Sequence, residues 1–177
     1  MTDRGIGMKW TFTLLLAIVC LATMAGEAYG QAQSAASGSG EKVMKHARGS
    51  FEVKIVPVEP SALGKEAGIG RMTGDKVISG DMAGTSKGEM LTGITEATGS
   101  MAYVAIEKVT ATLEGRSGTF IFIHNATMFK GDPSSQKLSV SVVPGSGTGG
   151  LTGISGTFDI HIDSAGKHTY VFDYQLP

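Results

Sequence analysis

The chain has 177 residues, of which 41% are hydrophobic, so it can bury one ordinary core and a single domain is expected. Its 15 Lys and Arg residues nearly balance its 16 Asp and Glu residues, and no basic run gathers the positive field that a nucleic acid backbone requires. Composition therefore excludes nucleic acid as an expected partner.

The first segment of the chain has the pattern of a secretory signal peptide. Two basic residues precede an uncharged apolar run at residues 10–25, and Ala28 and Gly30 place small residues three and one positions before a cut at Gln31. The run would form roughly 24 Å of helix, shorter than a bilayer core of about 30 Å, which disfavours the alternative of an uncleaved anchor. We expect residues 1–30 to be removed and the protein to be secreted or periplasmic in a bacterium, with no membrane contact after cleavage.

The segment after the cut predicts a flexible linker. Residues 31–45 begin with small and polar side chains that have nothing to bury. Cys20 lies inside the predicted signal peptide, so the cleaved protein would have no disulfide and no thiolate metal site. We expect the folded domain over residues 46–177.

Through this domain apolar and polar residues alternate, which predicts β-strands. Turns rich in Gly, Ser, Asp and Pro separate the strands, and no long stretch has a helical period. The predicted strands are residues 48–58, 71–82, 88–95, 101–113, 118–129, 137–143, 154–163 and 167–176.

Eight antiparallel strands, each with one apolar face, predict an all-β fold. We expect a single eight-stranded antiparallel β-barrel, because closure removes the exposed edges of an open sheet. A β-sandwich is the alternative. A barrel of about eight strands holds either packed side chains or one small ligand.

Two polar residues fall on the face that we assign to the barrel interior. Glu107 lies on the fourth predicted strand and His124 on the fifth, and a four-residue connection at 114–117 would place them directly opposite each other. Such a pair can act as a general acid/base couple or orient a ligand's oxygen. The alternative is a buried structural pair whose members satisfy each other.

Three other residues complete the predicted ligand-binding lining. Tyr103, Phe120 and Phe122 share the inward face with Glu107 and His124. Tyr103 can donate a hydrogen bond either to a ligand or to the backbone.

Residues 143–156, VPGSGTGGLTGISG, contain the pattern G-x-G-x-x-G beginning at Gly145. In dinucleotide-binding proteins a helix follows these glycines and holds the pyrophosphate. Here further glycines and a β-branched pair follow instead. We therefore expect a connection between strands in which Leu151 and Ile154 cover a barrel end, and no cofactor.

The last two strands are predicted to form a hairpin through residues 164–166, with Asp163 pairing with Lys167. Asp159, His161 and Asp163 then occupy alternate positions of one strand, where successive members stand nearly 7 Å apart. That spacing is too wide for all three to bind one metal ion without local bending of the strand. We interpret them as a solvated outer face and expect no metal.

Several motifs carry a family resemblance. They are the glycine-rich segment together with SGDMAG at 79–84, IEKVT at 106–110, GRSGTF at 115–120 and TYVFDY at 169–174. From residue 47 to its end the chain resembles a bacterial family catalogued as domain of unknown function 3224. That family is similar in fold to allene oxide cyclase, which implies an eight-stranded barrel with an apolar cavity. Other bacterial barrels of this type close rings on natural-product intermediates. The resemblance to domain of unknown function 3224, however, implies no established activity.

Three functions stay open from the sequence. The first is an exported protein that binds a small hydrophobic ligand in the barrel cavity. The second is an isomerase or cyclase of allene oxide cyclase type, with Glu107 and His124 as its polar groups. The third is a filled barrel that acts as an interaction or homo-oligomerisation module through outer residues such as Ile106 and Ile123. An open interior would favour the first two functions, and a filled interior the third.

Overall fold

Eight antiparallel strands close into a barrel in the computed structural model, which describes residues 43–177. Each strand pairs with its neighbours in the chain, and the last strand pairs with the first. This confirms the predicted all-β barrel and excludes the sandwich. The predicted signal peptide and most of the predicted linker lie outside the described residues.

The first strand and the third to sixth strands are longer than the sequence predicted, above all the third and the sixth, whereas the second has the predicted length and the last two are shorter. A three-residue 3-10 turn, Gly149–Leu151, precedes the seventh strand. The bounds are β1 Lys45–Val58, β2 Ile69–Gly80, β3 Met82–Thr95, β4 Ser100–Leu113, β5 Arg116–Phe129, β6 Asp132–Val142, β7 Ser155–Ile162 and β8 His168–Gln175.

One short helix, α1 (Ala62–Ala67), connects β1 to β2 and was not predicted. The Ser61 side chain caps its start by accepting a hydrogen bond from the Gly64 N–H at 3.0 Å. Gly68, at φ 67°, ends it in the left-handed conformation. No helix in the described part of the chain is long and apolar enough to cross a membrane.

Aromatic side chains pack at the end of the barrel where β4 finishes and β5 begins, which we call the filled end. The Phe120 ring lies 4.9 Å from the Phe122 ring edge-on and 6.0 Å from the Phe172 ring in a stacked arrangement. Leu151 and Ile154 are almost wholly buried there, as predicted for the glycine-rich segment. The buried core also includes Ala47, Phe51, Ile78, Met82, Val109, Ala111, Leu113, Val140, Val142, Phe158, Tyr170, Tyr174 and Leu176.

The glycine-rich segment is a connection between strands, docked along β5. The Val143 N–H donates to the Ile121 carbonyl and the Thr148 N–H to the Thr119 carbonyl, both at 2.8 Å. A Cβ at Gly147 would lie 2.1 Å from the Leu151 carbonyl oxygen, so only glycine allows this close approach. The segment leads through the 3-10 turn into β7 and not into the long helix of a dinucleotide site.

The predicted register between β4 and β5 is wrong by two residues. Glu114 and Gly115 form a two-residue turn with positive φ at both positions, 53° and 74°, which matches the twist of the flanking strands. As a result Glu107 lies opposite Phe122 and not opposite His124. A shift of two residues preserves the face of every side chain, so the inward assignment holds.

The predicted β7–β8 hairpin is confirmed. Phe158 lies opposite Phe172, the Asp163 N–H donates to the Lys167 carbonyl at 3.1 Å, and Gly166 has φ 81°. Asp159 and His161 are exposed on the outer face. In residues 43–177 no group of three or more His, Cys, Asp or Glu side chains is arranged to hold a metal ion.

At the opposite end, which we call the open end, the barrel is less completely paired. β1 pairs with β8 only from Lys45 to Phe51, and beyond that point β1 pairs with β2 alone. β6 and β7 pair at the single position Ser141 and Thr157. The turn that joins β7 to β8 therefore has no strand pairing with β6 on one side or with β1 on the other.

Candidate functional site

A cavity of about 290 Å³ occupies the open end of the barrel. It exists because small residues take inward positions there: Gly74, Gly88 and Ala105 line it, and a Cβ at Gly74 would meet no atom within 4 Å. Ile55 and Ile162 line its mouth, where they are 51% and 61% exposed. Aromatic, charged and polar side chains also line the cavity, among them Phe51, Lys76, Glu89, Tyr103, Glu107, His124 and His168.

Glu107 lies at the inner side of this cavity, 6% exposed, and three side chains converge on its carboxylate. Lys76 Nζ donates to Oε2 at 2.7 Å, and the Ser86 hydroxyl donates to Oε1 in a short hydrogen bond. His124 Nε2 lies 2.7 Å from Oε2. The strand order explains the arrangement, because β2, β3, β4 and β5 are consecutive neighbours and each contributes one inward polar residue.

The carboxylate of Glu107 is held in its ionised form. Burial by itself raises the pKa of Glu107, but the close polar contact with His124, the charge and hydrogen bond of Lys76, and the Ser86 hydroxyl together lower that pKa to about 2. The site therefore contains a fixed negative charge at neutral pH, paired with the Lys76 ammonium.

His124 is 5% exposed and faces Glu107 from the next strand. Its Nε2 is within ion-pair distance of Oε2, although it has no hydrogen bond of regular alignment. Because Glu107 and His124 are diagonal and not directly opposite neighbours, their side chains reach each other along the strand direction. The structure thus brings the two predicted residues together by a different register from the predicted one.

Lys76 and Ser86 were missed by the sequence analysis. The Lys76 side chain is only 14% exposed, and its ammonium stands 5.0 Å from the centre of the Phe51 ring, where a cation is attracted by the ring face. Both residues occupy inward positions on strands whose alternation is interrupted by glycines. A polar residue at an inward position on each of four consecutive strands was the signal available in the sequence.

Tyr103 lies on the cavity wall as predicted. Burial and the nearby charge of Glu107 raise the pKa of its hydroxyl, which therefore stays protonated and able to donate a hydrogen bond. Phe120 and Phe122, also predicted to contact a ligand, pack in the filled end and do not line this cavity.

The geometry defines a class: an eight-stranded antiparallel barrel, filled at one end and hollow at the other, with a buried ionic cluster between the two. A family model described as "Protein of unknown function (DUF3224)" matches residues 47–174, and the chain belongs to that family. This confirms the resemblance found in the sequence.

A solved structure supports the same assignment. A protein of unknown function from the DUF3224 family of Shewanella oneidensis MR-1 is 40% identical, with a TM-score of 0.67, over 76% of this chain and 98% of that chain. No curated protein matches the chain. The further similarity to allene oxide cyclase stays a prediction.

Proposed function

We propose that the protein binds one small, largely apolar molecule in the cavity at the open end. The observation that carries the proposal is a cavity of about 290 Å³, open at its mouth, in a barrel whose other end is packed with aromatic rings. Ligand sites are concave, mainly apolar and supplied with a few placed polar groups, and this cavity combines all three features.

The volume limits the ligand to a small molecule. Since a water molecule takes about 30 Å³ in the liquid, the cavity accommodates about ten water-sized groups. This matches a single substituted ring or a short branched chain. It is at the lower end of the size range of ligand pockets, about 300 Å³.

The ionic cluster favours binding over acid/base catalysis. A general base works best when its pKa lies near the operating pH, whereas the pKa of Glu107 is lowered to about 2, which makes the carboxylate a weak proton acceptor. An isomerase or cyclase that used Glu107 would have to employ it to position the substrate and not as a general base. The hollow open end also removes the main reason for regarding the barrel as a filled interaction module.

We place this binding outside the cytoplasm. The support is the predicted signal peptide, whose cleavage would start the exported protein at or near Gln31. N-terminal sequencing of the protein from its own host tests the assignment, and a retained residue 1 in the membrane fraction would contradict it.

The binding proposal is tested by filling the cavity from a residue outside the ionic cluster. Gly74→Leu adds a side chain at an inward position, where a Cβ meets no atom within 4 Å. Gly93→Leu is the control, because a Cβ at Gly93 also meets no atom within 4 Å, but Gly93 is exposed and does not line the cavity.

The measurement is mass spectrometry of small molecules that co-purify with each protein from its own host. We expect the wild type and Gly93→Leu to retain the same compound and Gly74→Leu to lose it. Equal recovery from Gly74→Leu, or no compound from any of the three folded proteins, would contradict the proposal.

A further inference from the structure

We propose, building on the binding function above, that the ligand presents a neutral carbonyl oxygen to Tyr103 and Lys76. The ligand class would then be small apolar ketones, esters, lactones or amides, and Tyr103 would be a residue that determines specificity. Three features of the cavity support the inference: its carboxylates are engaged, two hydrogen-bond donors are available, and its fixed charges cancel.

The carboxylate in the cavity is already engaged at both oxygens. Oε1 of Glu107 accepts from Ser86, while Oε2 accepts from Lys76 and lies 2.7 Å from His124 Nε2. A ligand hydroxyl or N–H would have to compete with these charge-assisted contacts, which are about twice as strong as neutral hydrogen bonds. Glu107 is therefore poorly suited to accept a hydrogen bond from a ligand.

Hydrogen-bond donors, by contrast, are available. The Tyr103 hydroxyl faces the cavity and makes no hydrogen bond to any residue in the described part of the chain. The Lys76 ammonium carries three N–H donors, of which one is directed to Glu107. A ligand oxygen that accepts from these two residues would satisfy donors that a purely hydrocarbon ligand would leave without partners.

The charge balance favours a neutral acceptor over a carboxylate. Lys76 and Glu107 neutralise each other, and the other acidic residue at the cavity, Glu89, lies at the rim with its carboxylate bound to Arg71. A ligand carboxylate would be buried close to that of Glu107, where like charges repel and both lose solvation. A carbonyl oxygen accepts the same hydrogen bonds without that cost.

The test compares three probes with the same number of non-hydrogen atoms: acetophenone, which has a carbonyl, α-methylstyrene, which has a methylene in its place, and benzoate, which is an anion. Their affinities are measured by NMR titration, following the amide signals of Gly74 and Ala105 in the cavity wall. We expect acetophenone to bind wild type about fivefold to tenfold more tightly than α-methylstyrene, the size of one hydrogen bond to a buried donor.

The variant Tyr103→Phe removes only the hydroxyl. We expect it to reduce the preference for acetophenone to about twofold or less and to leave the affinity for α-methylstyrene unchanged. The control is Tyr170→Phe, because the Tyr170 hydroxyl bonds to the Met82 backbone and does not line the cavity. This control should keep the wild-type preference.

Equal affinity for acetophenone and α-methylstyrene in the wild type, or tightest binding of benzoate, would overturn the carbonyl inference while leaving the binding proposal intact. An undiminished preference in Tyr103→Phe would overturn the role of Tyr103. Absence of binding by all three probes would count against both proposals together.

Discussion

The two ends of the barrel share the same alternation of inward and outward residues, but one end is packed with side chains and the other contains a cavity. Inward positions at the filled end hold large rings such as Phe120, Phe172 and Tyr174. The Phe172 ring centre lies 6.0 Å from that of Phe120 and 5.1 Å from that of Tyr174. At the open end they hold Gly74 and Gly88, which leave about 290 Å³ unfilled. Alternation decides which way a side chain points, while side-chain volume decides whether that space becomes core or cavity.

The same contrast applies to Tyr170 and Tyr103, two of the inward tyrosines. Tyr170 is 2% exposed, and its hydroxyl both accepts from the Met82 N–H and donates to the Met82 carbonyl at 3.1 Å. Tyr103, on the cavity wall, has no such partner in the described residues. The Tyr170 hydroxyl thus ties two strands together, whereas the Tyr103 hydroxyl keeps its hydrogen-bonding capacity unused by the described residues.

The largest expected difference between the ends is in packing energy. Phe120→Ala should lower the free energy of unfolding by about 3–5 kcal/mol, because it removes a fully buried ring from a close-packed cluster. Ile55→Ala, at the mouth of the cavity and 51% exposed, should cost less than about 1 kcal/mol. Urea unfolding measures both, and equal losses would show that the two ends are packed alike.

The ionic cluster between the ends gives the next largest effect. Glu107→Gln should cost about 3 kcal/mol at pH 7, because it leaves the Lys76 ammonium buried without its counter-charge. Replacing only Glu107 and His124 by apolar residues would also strand Lys76, so the neutral control is the triple variant Lys76→Met, Glu107→Met, His124→Leu. We expect the triple variant to recover most of the loss; a loss as large as that of Glu107→Gln would contradict this account.

The cost of Glu107→Gln should also depend on pH in a defined direction. The folded-state pKa of Glu107 is lowered to about 2 from an ordinary 4.5, so its ionisation stabilises the fold fully above pH 4.5, and this contribution is lost as the pH falls towards 2. The difference between wild type and variant should therefore shrink from about 3 kcal/mol at pH 7 towards zero near pH 2. A difference that stayed constant between these pH values would show that Glu107 does not carry the charge.

The smallest effect concerns the glycine-rich segment that covers the filled end. Gly147→Ala should cost about 1–3 kcal/mol, because its Cβ would approach the Leu151 carbonyl oxygen and distort the way the segment folds back on itself. Gly145→Ala, where a Cβ meets no atom within 4 Å but φ is 74°, should cost only about 1 kcal/mol. Thermal unfolding separates the two, and micromolar binding of NAD or ATP that disappeared in Gly147→Ala would overturn the structural interpretation.

Much of the barrel could be predicted because a period of two residues specifies faces directly. The inward positions of Glu107, His124, Phe120 and Phe122 all follow from it, and the β7–β8 pairing follows from the Gly166 turn. The helix α1 escaped prediction because it has only six residues, too few for a helical period to be recognised.

The candidate site was harder to predict because it depends on turns and on strands that are distant in sequence. The turn at Glu114 places a residue other than Asn, Asp or Gly in the left-handed conformation, so the pattern of a two-residue hairpin was not visible. Lys76 meets Glu107 only because β2, β3 and β4 lie side by side, across 31 residues of sequence. Side-chain volume, which separates cavity from core, cannot be read from alternation alone.

The pairing of β1 with β8 also has a consequence for how the chain acquires its structure. His46 and Asp173, whose side chains meet at 2.6 Å, are 127 residues apart in sequence, so the barrel cannot close until nearly the whole chain is present. Contacts between such distant residues slow folding, since the entropy of closing a long loop must be lost before the contact forms. A ribosome-bound chain that lacks β8 would keep both edge strands unpaired, and its folding would be completed only after release of the last strand.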